Sequence, residues 1–149
     1  MFITRRLTQK IKQLGAQYPI LAVTGPRQSG KTTLLKKSFP DYRYITLEDP
    51  EIRQFAETDP RAFLDLYDQY VIFDEVQRAS LLFSYMQGRV DESGLMCQYI
   101  LSGSQNFLLL KSITQSLAGR VALFKLLPFD FSELQAHDLL PDHFADTAI

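Results

Sequence analysis

The chain has 149 residues, of which 46% are hydrophobic and 22% charged, and its formal net charge is -1 at pH 7. This length suits one domain with a sizeable core, and the high apolar content excludes low-complexity disorder. The charge balance excludes a globally basic coat, so it does not indicate nucleic acid as a partner. Cys97 is the one cysteine, and no apolar run approaches the roughly 20 residues of a spanning helix. We expect a cytoplasmic protein without a membrane span.

Helix and strand signals alternate along the chain and predict an α/β fold in a single domain over residues 1–149. An amphipathic helix is predicted within residues 1–16. Further helices are predicted at 31–39, 50–57, 60–69, 80–90 and 107–117, with a turn at 91–94. Strands are predicted at 20–23, 42–47, 70–73, 98–101 and 121–127. Such alternation implies right-handed crossovers and a parallel sheet covered by helices on both faces.

Two Asp-Pro pairs mark the starts of two of these helices. Asp49-Pro50 and Asp59-Pro60 each offer an N-cap carboxylate followed by a proline at the first helical position. The sequence therefore predicts two short, consecutive helices rather than one long one.

The segment after the first strand fits the pattern G-x-x-x-x-G-K-[ST] at every fixed position. It reads Gly25-Pro26-Arg27-Gln28-Ser29-Gly30-Lys31-Thr32 and lies between an apolar strand and a helix. Glycines let the backbone N–H groups curl around an anion, and the helix directs its positive end to the same point. Lys31 would bring a charge to the β- and γ-phosphates of a nucleotide, and Thr32 a hydroxyl to Mg²⁺. A glycine-containing turn that binds nothing is the alternative, and motif and context together disfavour it.

Two carboxylates, Asp74 and Glu75, follow the third strand directly. Ligands of open α/β sheets bind at the carboxyl edge, so Asp74 is suited to hold Mg²⁺ opposite Thr32. Glu75 is suited to orient or deprotonate an attacking water. The alternative for both residues is a solvated loop. An Asn-Lys-x-Asp segment typical of guanine recognition is absent from the sequence, which favours an ATPase over a switch-type GTPase.

Polar residues also follow the fourth strand, and an arginine precedes the fifth. Ser104, and after it Asn106, could position the attacking water or sense the γ-phosphate, or could instead cap the next helix. Arg120 could reach a γ-phosphate in its own or a neighbouring subunit, or could satisfy carbonyls at a helix end. These alternatives stay open at the level of sequence.

The sequence resembles the bacterial and archaeal ATPases of the AAA+ superfamily in which a P-loop ATPase domain precedes a C-terminal domain of uncharacterised function. Four blocks carry the resemblance. The first is Gly25 to Leu34, and it includes Thr33. The others are Phe73 to Gln77, Leu101 to Ser104, and Ser116 to Arg120 with Leu127-Pro128-Phe129. The resemblance implies a three-layer P-loop NTPase sandwich with strand order 5-1-4-3-2. It also implies ATP and Mg²⁺ as ligands, and a nucleotide-binding segment from Gly25 to Thr33. The implied catalytic set is Lys31, Glu75, Ser104 and Arg120, with Thr32 and Asp74 at the metal.

Members of that group continue into helical segments and a second domain. We therefore expect residues 130–149 to begin a further segment. The main hypothesis is a Mg²⁺-dependent ATPase core that binds ATP and ADP, alone, as a homo-oligomer or with a partner protein. The alternative is a nucleotide-dependent binding module with little turnover, and a small-molecule kinase is the third reading.

Overall fold

Five parallel strands form one sheet in the computed structural model, which describes residues 2–26, 30–104 and 107–126. The strand order is β2-β3-β4-β1-β5, so the predicted order is confirmed. Every neighbouring pair is parallel. The strands are β1 (Ile20–Thr24), β2 (Arg43–Thr46), β3 (Val71–Asp74), β4 (Tyr99–Gly103) and β5 (Val121–Lys125).

The described residues include six α-helices, of which the first precedes β1 and the other five lie between strands. They are α1 (Phe2–Gly15), α2 (Lys31–Ser38), α3 (Pro50–Thr58), α4 (Pro60–Leu66), α5 (Leu82–Ser93) and α6 (Phe107–Leu117), with a 3-10 turn at Val76–Ala79. None of the helices in these three ranges has both the length and the apolar character needed to cross a bilayer.

The sheet separates two hydrophobic cores, as expected for a three-layer α/β sandwich. Helices α1 and α2 pack on one face, where Leu7 and Leu34 contact sheet residues such as Val23. Helices α3 to α6 pack on the other face, where Phe63 and Phe83 are fully buried. Because both faces are covered, the central strands are apolar on both sides, as the short runs in the sequence predicted.

Two of the predicted helices have wrong boundaries, α4 at its end and α5 at both ends. Helix α4 ends at Leu66 rather than residue 69, because the chain must reverse into β3 through Tyr70, which has a φ of 55°. Helix α5 begins at Leu82 after the 3-10 turn and continues through the predicted turn to Ser93. It ends at Gly94, whose φ of 70° forms a left-handed C-cap that favours glycine.

Both Asp-Pro caps form, and one of them allows a stability test. The Asp59 carboxylate accepts a hydrogen bond from the Ala62 backbone N–H at 3.1 Å at the start of α4. Asp59→Ala should lower the free energy of unfolding by about 1 kcal/mol, because the N–H loses its acceptor. Urea unfolding followed by circular dichroism measures this loss. Asp41→Ala, in an exposed loop, is the matched control and should stay within about 0.5 kcal/mol of the parent; equal stabilities of the two variants would contradict the capping role.

Candidate functional site

The carboxyl edge of the sheet brings the motif after β1 next to the end of β4. The Gly25 N–H donates to the Gly103 carbonyl at 3.3 Å. The chain enters α2 at Gly30, where a φ of 87° in the left-handed region suits a residue without a side chain. Arg27, Gln28 and Ser29, predicted to bind phosphates, lie outside the described residues. The described ends of the motif thus lie at the edge where α/β sheets bind ligands.

Lys31 is a buried cation at the first position of α2, with 6% of its surface exposed. Within the described residues its ammonium has one hydrogen bond, to the Pro26 carbonyl at 3.4 Å. An ammonium carries three donors, and burying a charge without adequate partners is costly. The geometry therefore suits an anion that would supply the remaining acceptors.

Asp74 lies at the end of β3, and both of its carboxylate oxygens accept hydrogen bonds. Its Oδ1 accepts from the Glu75 backbone N–H at 2.9 Å, and its Oδ2 accepts from the Thr32 hydroxyl at 3.0 Å. The Tyr44 hydroxyl, from β2, also donates to Oδ2. Burial, and next the hydrogen bond to Asp74, raise the pKa of Tyr44 well above its ordinary value, so the phenol remains a donor at neutral pH. Thr32 and Asp74, predicted as a metal pair, are therefore in contact.

Glu75 has a φ of 55°, a left-handed conformation that a residue with a side chain seldom adopts. Its carboxylate accepts a hydrogen bond from the Gln77 side-chain amide at 2.7 Å. Strained non-glycine residues persist where the surroundings hold them, and they concentrate at functional sites. Glu75 is thus held in place beside Asp74 by both backbone and side chain.

Three buried polar atoms at this edge have no hydrogen-bond partner among the described residues. They are the Thr24 hydroxyl, the Ser102 hydroxyl and the side-chain carbonyl of Gln77. Buried polar groups are nearly always satisfied by protein, water or a ligand. Together with the Lys31 ammonium and the Thr32–Asp74 pair, they make an edge whose chemistry fits a polyphosphate, a hydrated hard cation and an ordered water.

The remaining residues predicted for this edge fall into two groups. Ser104 directly follows β4, and Thr33 is exposed in the first turn of α2, so both belong to the same edge. Strand β4 lies between β1 and β3, so Ser104 follows the strand between those that precede the phosphate motif and the acidic pair. Asn106 lies outside the described residues.

Arg120 lies at the opposite edge of the sheet. Its backbone carbonyl accepts a hydrogen bond from the Ile20 N–H at the start of β1, whose five residues span roughly 15 Å. Its guanidinium makes two hydrogen bonds of 2.7 Å to Asp91 on α5. These bonds lower the pKa of Asp91, so the carboxylate is ionised at neutral pH. Within one chain, the structure does not bring Arg120 to the other predicted site residues.

Tyr44, Gln77 and Ser102 are site residues for which sequence reasoning assigned no role. Ser102 lies two residues before Ser104, the residue predicted to act at the end of this strand. Gln77 stands two residues after Glu75, so proximity in sequence was a usable signal. Tyr44 reaches Asp74 only because β2 pairs with β3 in the observed register, with Tyr44 opposite Ile72.

The fold and this edge define a P-loop ATPase core domain. A family model described as an AAA domain matches residues 17–135, and the chain belongs to this AAA domain family. An uncharacterized protein of Mycobacterium tuberculosis is 32% identical over 130 residues, which cover 85% of this chain and 29% of that protein. An uncharacterized protein of Methanocaldococcus jannaschii is 29% identical over 124 residues, covering 76% and 27%. The chain thus spans less than a third of the length of these curated relatives.

Solved structures show the same fold at low sequence identity. A Walker-type ATPase of Pyrococcus abyssi superposes with a TM-score of 0.59 at 18% identity, over 95% of this chain and 59% of that one. AMPPCP-bound DnaA from Aquifex aeolicus superposes with a TM-score of 0.55 at 18% identity, over 97% and 52%. These structures show the fold, and the family is shown by the AAA domain model.

Proposed function

We propose that residues 1–149 form one ATPase core domain, which binds ATP with Mg²⁺ and hydrolyses the bond to the γ-phosphate. The observation that carries this proposal is the contact of Thr32 with Asp74 on the same sheet edge as the buried Lys31 ammonium, which has one hydrogen bond among the described residues. A cation, a hydroxyl and a carboxylate in this arrangement suit a metal-bound polyphosphate.

In this proposal the segment from Gly25 to Thr33 binds the phosphates. Backbone N–H groups around Gly30 and at the start of α2 would contact phosphate oxygens, and the helix dipole adds positive potential there. Lys31 would donate from its ammonium to the β- and γ-phosphates. The buried position of Lys31 strengthens that interaction, because little water screens it.

Thr32 and Asp74 would hold Mg²⁺, Thr32 through its hydroxyl and Asp74 through its carboxylate. The bound ion would offset negative charge on the phosphates during the reaction. The Thr32 hydroxyl donates to Asp74 here, and the same oxygen can instead offer a lone pair to a cation. The two residues therefore need no rearrangement of the backbone to serve the metal.

Glu75 would orient the attacking water and accept its proton, while Gln77 keeps the Glu75 carboxylate in position. Their hydrogen bond of 2.7 Å supports this division of roles. Ser104, at the end of β4, would contact the γ-phosphate or the same water. Arg120 would act only on the site of a neighbouring copy, because it lies at the far edge of its own sheet.

Steady-state phosphate release by the purified chain tests the proposal. We expect release that requires ATP and Mg²⁺ together and that stops when EDTA removes the metal. Tight ATP binding without release would contradict hydrolysis and favour the binding-module alternative. Transfer of phosphate to an added small-molecule acceptor in place of water would indicate a kinase.

A glycine at the end of β4 gives a test of the Gln77 role. A Cβ at position 103 would lie 2.5 Å from the Gln77 side-chain oxygen, so Gly103→Ala should displace that side chain from Glu75. We expect kcat to fall about tenfold, as one hydrogen bond to a charged group is lost, while the Kd for ATP stays within about threefold. Parallel rate and binding measurements separate the two effects.

Gly88→Ala is the matched control, because a Cβ there meets nothing within 4 Å. It should leave kcat unchanged and stabilise α5 slightly. Gln77→Ala should lower kcat by a similar factor, and the double variant Gly103→Ala/Gln77→Ala should be no worse than either single one. Additive losses would show that Gly103→Ala acts by another route.

A further inference from the structure

The geometry points to Tyr44 as a positioning residue that holds the Asp74 carboxylate in the orientation needed to bind Mg²⁺ together with Thr32. This inference rests on the proposed function, since it concerns the metal side of the same site. Because Tyr44 belongs to β2, this strand would join the elements that form the site. The phosphate motif and the acidic pair involve only β1, α2 and β3.

The strand pairing explains how Tyr44 reaches this position. In the register of β2 with β3, Tyr44 lies opposite Ile72, and Thr46 lies opposite Asp74. Side chains two residues apart on a strand share a face, so Ile72 and Asp74 both face α1 and α2. Tyr44 packs against the same core, and its long side chain extends towards the end of the neighbouring strand, where the hydroxyl donates to Asp74.

The hydrogen bonds on Asp74 leave its carboxylate little freedom. A carboxylate offers about four lone-pair positions on its two oxygens. The Glu75 N–H occupies one position on Oδ1, and the hydroxyls of Thr32 and Tyr44 both donate to Oδ2. If Thr32 turns its hydroxyl to a metal, Tyr44 is the side-chain donor that still fixes Oδ2. The phenol thus keeps the carboxylate plane in place while its remaining lone pairs are free for the cation or its water.

The ring of Tyr44 is itself anchored, so the role can be assigned to the hydroxyl. The Lys36 ammonium lies 4.0 Å from the centroid of the Tyr44 ring, a cation–π contact. A phenylalanine at this position keeps the ring and its packing and removes the hydroxyl that donates to Asp74. Tyr44→Phe is therefore close to an isosteric test.

The experiment is calorimetric titration of a non-hydrolysable ATP analogue into the full chain, once with EDTA and once with excess Mg²⁺. For the parent protein we expect Mg²⁺ to tighten binding. Tyr44→Phe should reduce this Mg²⁺-dependent gain about tenfold and leave the Kd in EDTA within about twofold, because the lost hydrogen bond acts on the metal ligand rather than on the phosphates. A purely structural role would weaken binding equally in both conditions.

Tyr42→Phe is the matched control. The Tyr42 hydroxyl donates to the Cys97 backbone carbonyl at 2.8 Å, away from Asp74. This variant should retain the full Mg²⁺-dependent gain. An undiminished gain in Tyr44→Phe, or an equal loss with and without Mg²⁺, would overturn the inference while the proposed function stands. A parent protein that binds no nucleotide in either condition would overturn both.

Discussion

Lys31→Ala should weaken ATP binding roughly 100-fold without unfolding the chain. Charge-assisted hydrogen bonds contribute about 1.5–3 kcal/mol each, and 1.4 kcal/mol corresponds to a factor of ten. The buried ammonium has only the Pro26 carbonyl as a hydrogen-bond acceptor among the described residues, so the phosphates would be its main partner. Equilibrium titration with a fluorescent ATP analogue in Mg²⁺ measures the loss.

The folded state of Lys31→Ala should be as stable as the parent or slightly more stable. Alanine is a good helix former, and the change removes a buried charge that has a single hydrogen-bond acceptor in the described part of the chain. Lys37→Ala is the matched control, because Lys37 is an exposed lysine on the same helix. We expect the control to bind ATP as the parent does. Equal affinities for Lys31→Ala and Lys37→Ala would remove Lys31 from the binding site.

Glu75→Gln should retain ATP binding and lose hydrolysis by about 10²- to 10⁴-fold, the range that general-base catalysis supplies. The amide keeps the size of the side chain and can still bond to Gln77, so the left-handed turn after β3 should survive. The amide cannot accept a proton from water. Single-turnover hydrolysis, with the Kd for ATP measured alongside, separates the chemical step from binding.

Glu57→Gln provides the comparison for Glu75→Gln, since Glu57 is an exposed carboxylate on α3. It removes one negative charge from an exposed position and should hydrolyse ATP at the parental rate. If Glu75→Gln were as active as Glu57→Gln, Glu75 would have no part in the chemistry, and another group would have to activate the water.

Local sequence signals were sufficient to predict most of the fold. The phosphate motif follows a strand and precedes a helix, as predicted. Gly30 enters that helix with a left-handed φ, a conformation that residues with a side chain resist. Apolar runs predicted buried strands, and both Asp-Pro pairs start helices where expected. The strand order, in contrast, came from the family resemblance, because periodicity alone does not say which strands are neighbours.

Contacts that depend on strand register could not be predicted in this way. Tyr44 and Asp74 are 30 positions apart, and they meet only because β2 pairs with β3 at one particular offset. The contact of Gln77 with Gly103 likewise requires β4 to lie beside the turn after β3. Sequence patterns report which face a residue occupies, but they do not report which residue on the next strand it meets.

Arg120 was predicted as a site residue, but the fold places it away from the other site residues of the same chain. Its place just before β5 was predicted, but a parallel strand begins at the amino edge, and the proposed nucleotide site is at the carboxyl edge. Its partner Asp91 lies in a segment predicted as a turn, which is helical here. Because the end of α5 was predicted too early, there was no reason in the sequence to pair Arg120 with Asp91, the side-chain carboxylate to which it bonds in the described structure.

Isothermal titration of the folded parent protein with ATP in the presence of Mg²⁺ tests the proposed phosphate site most directly. We expect saturable binding of one ATP per chain, and we expect added inorganic polyphosphate to compete with it, because the proposed site would recognise the phosphate chain through Lys31 and backbone amides. The proposed site would be contradicted if folded protein gave no binding heat at millimolar ATP. The titration is repeated at several temperatures, because the enthalpy of binding can be zero at any one of them.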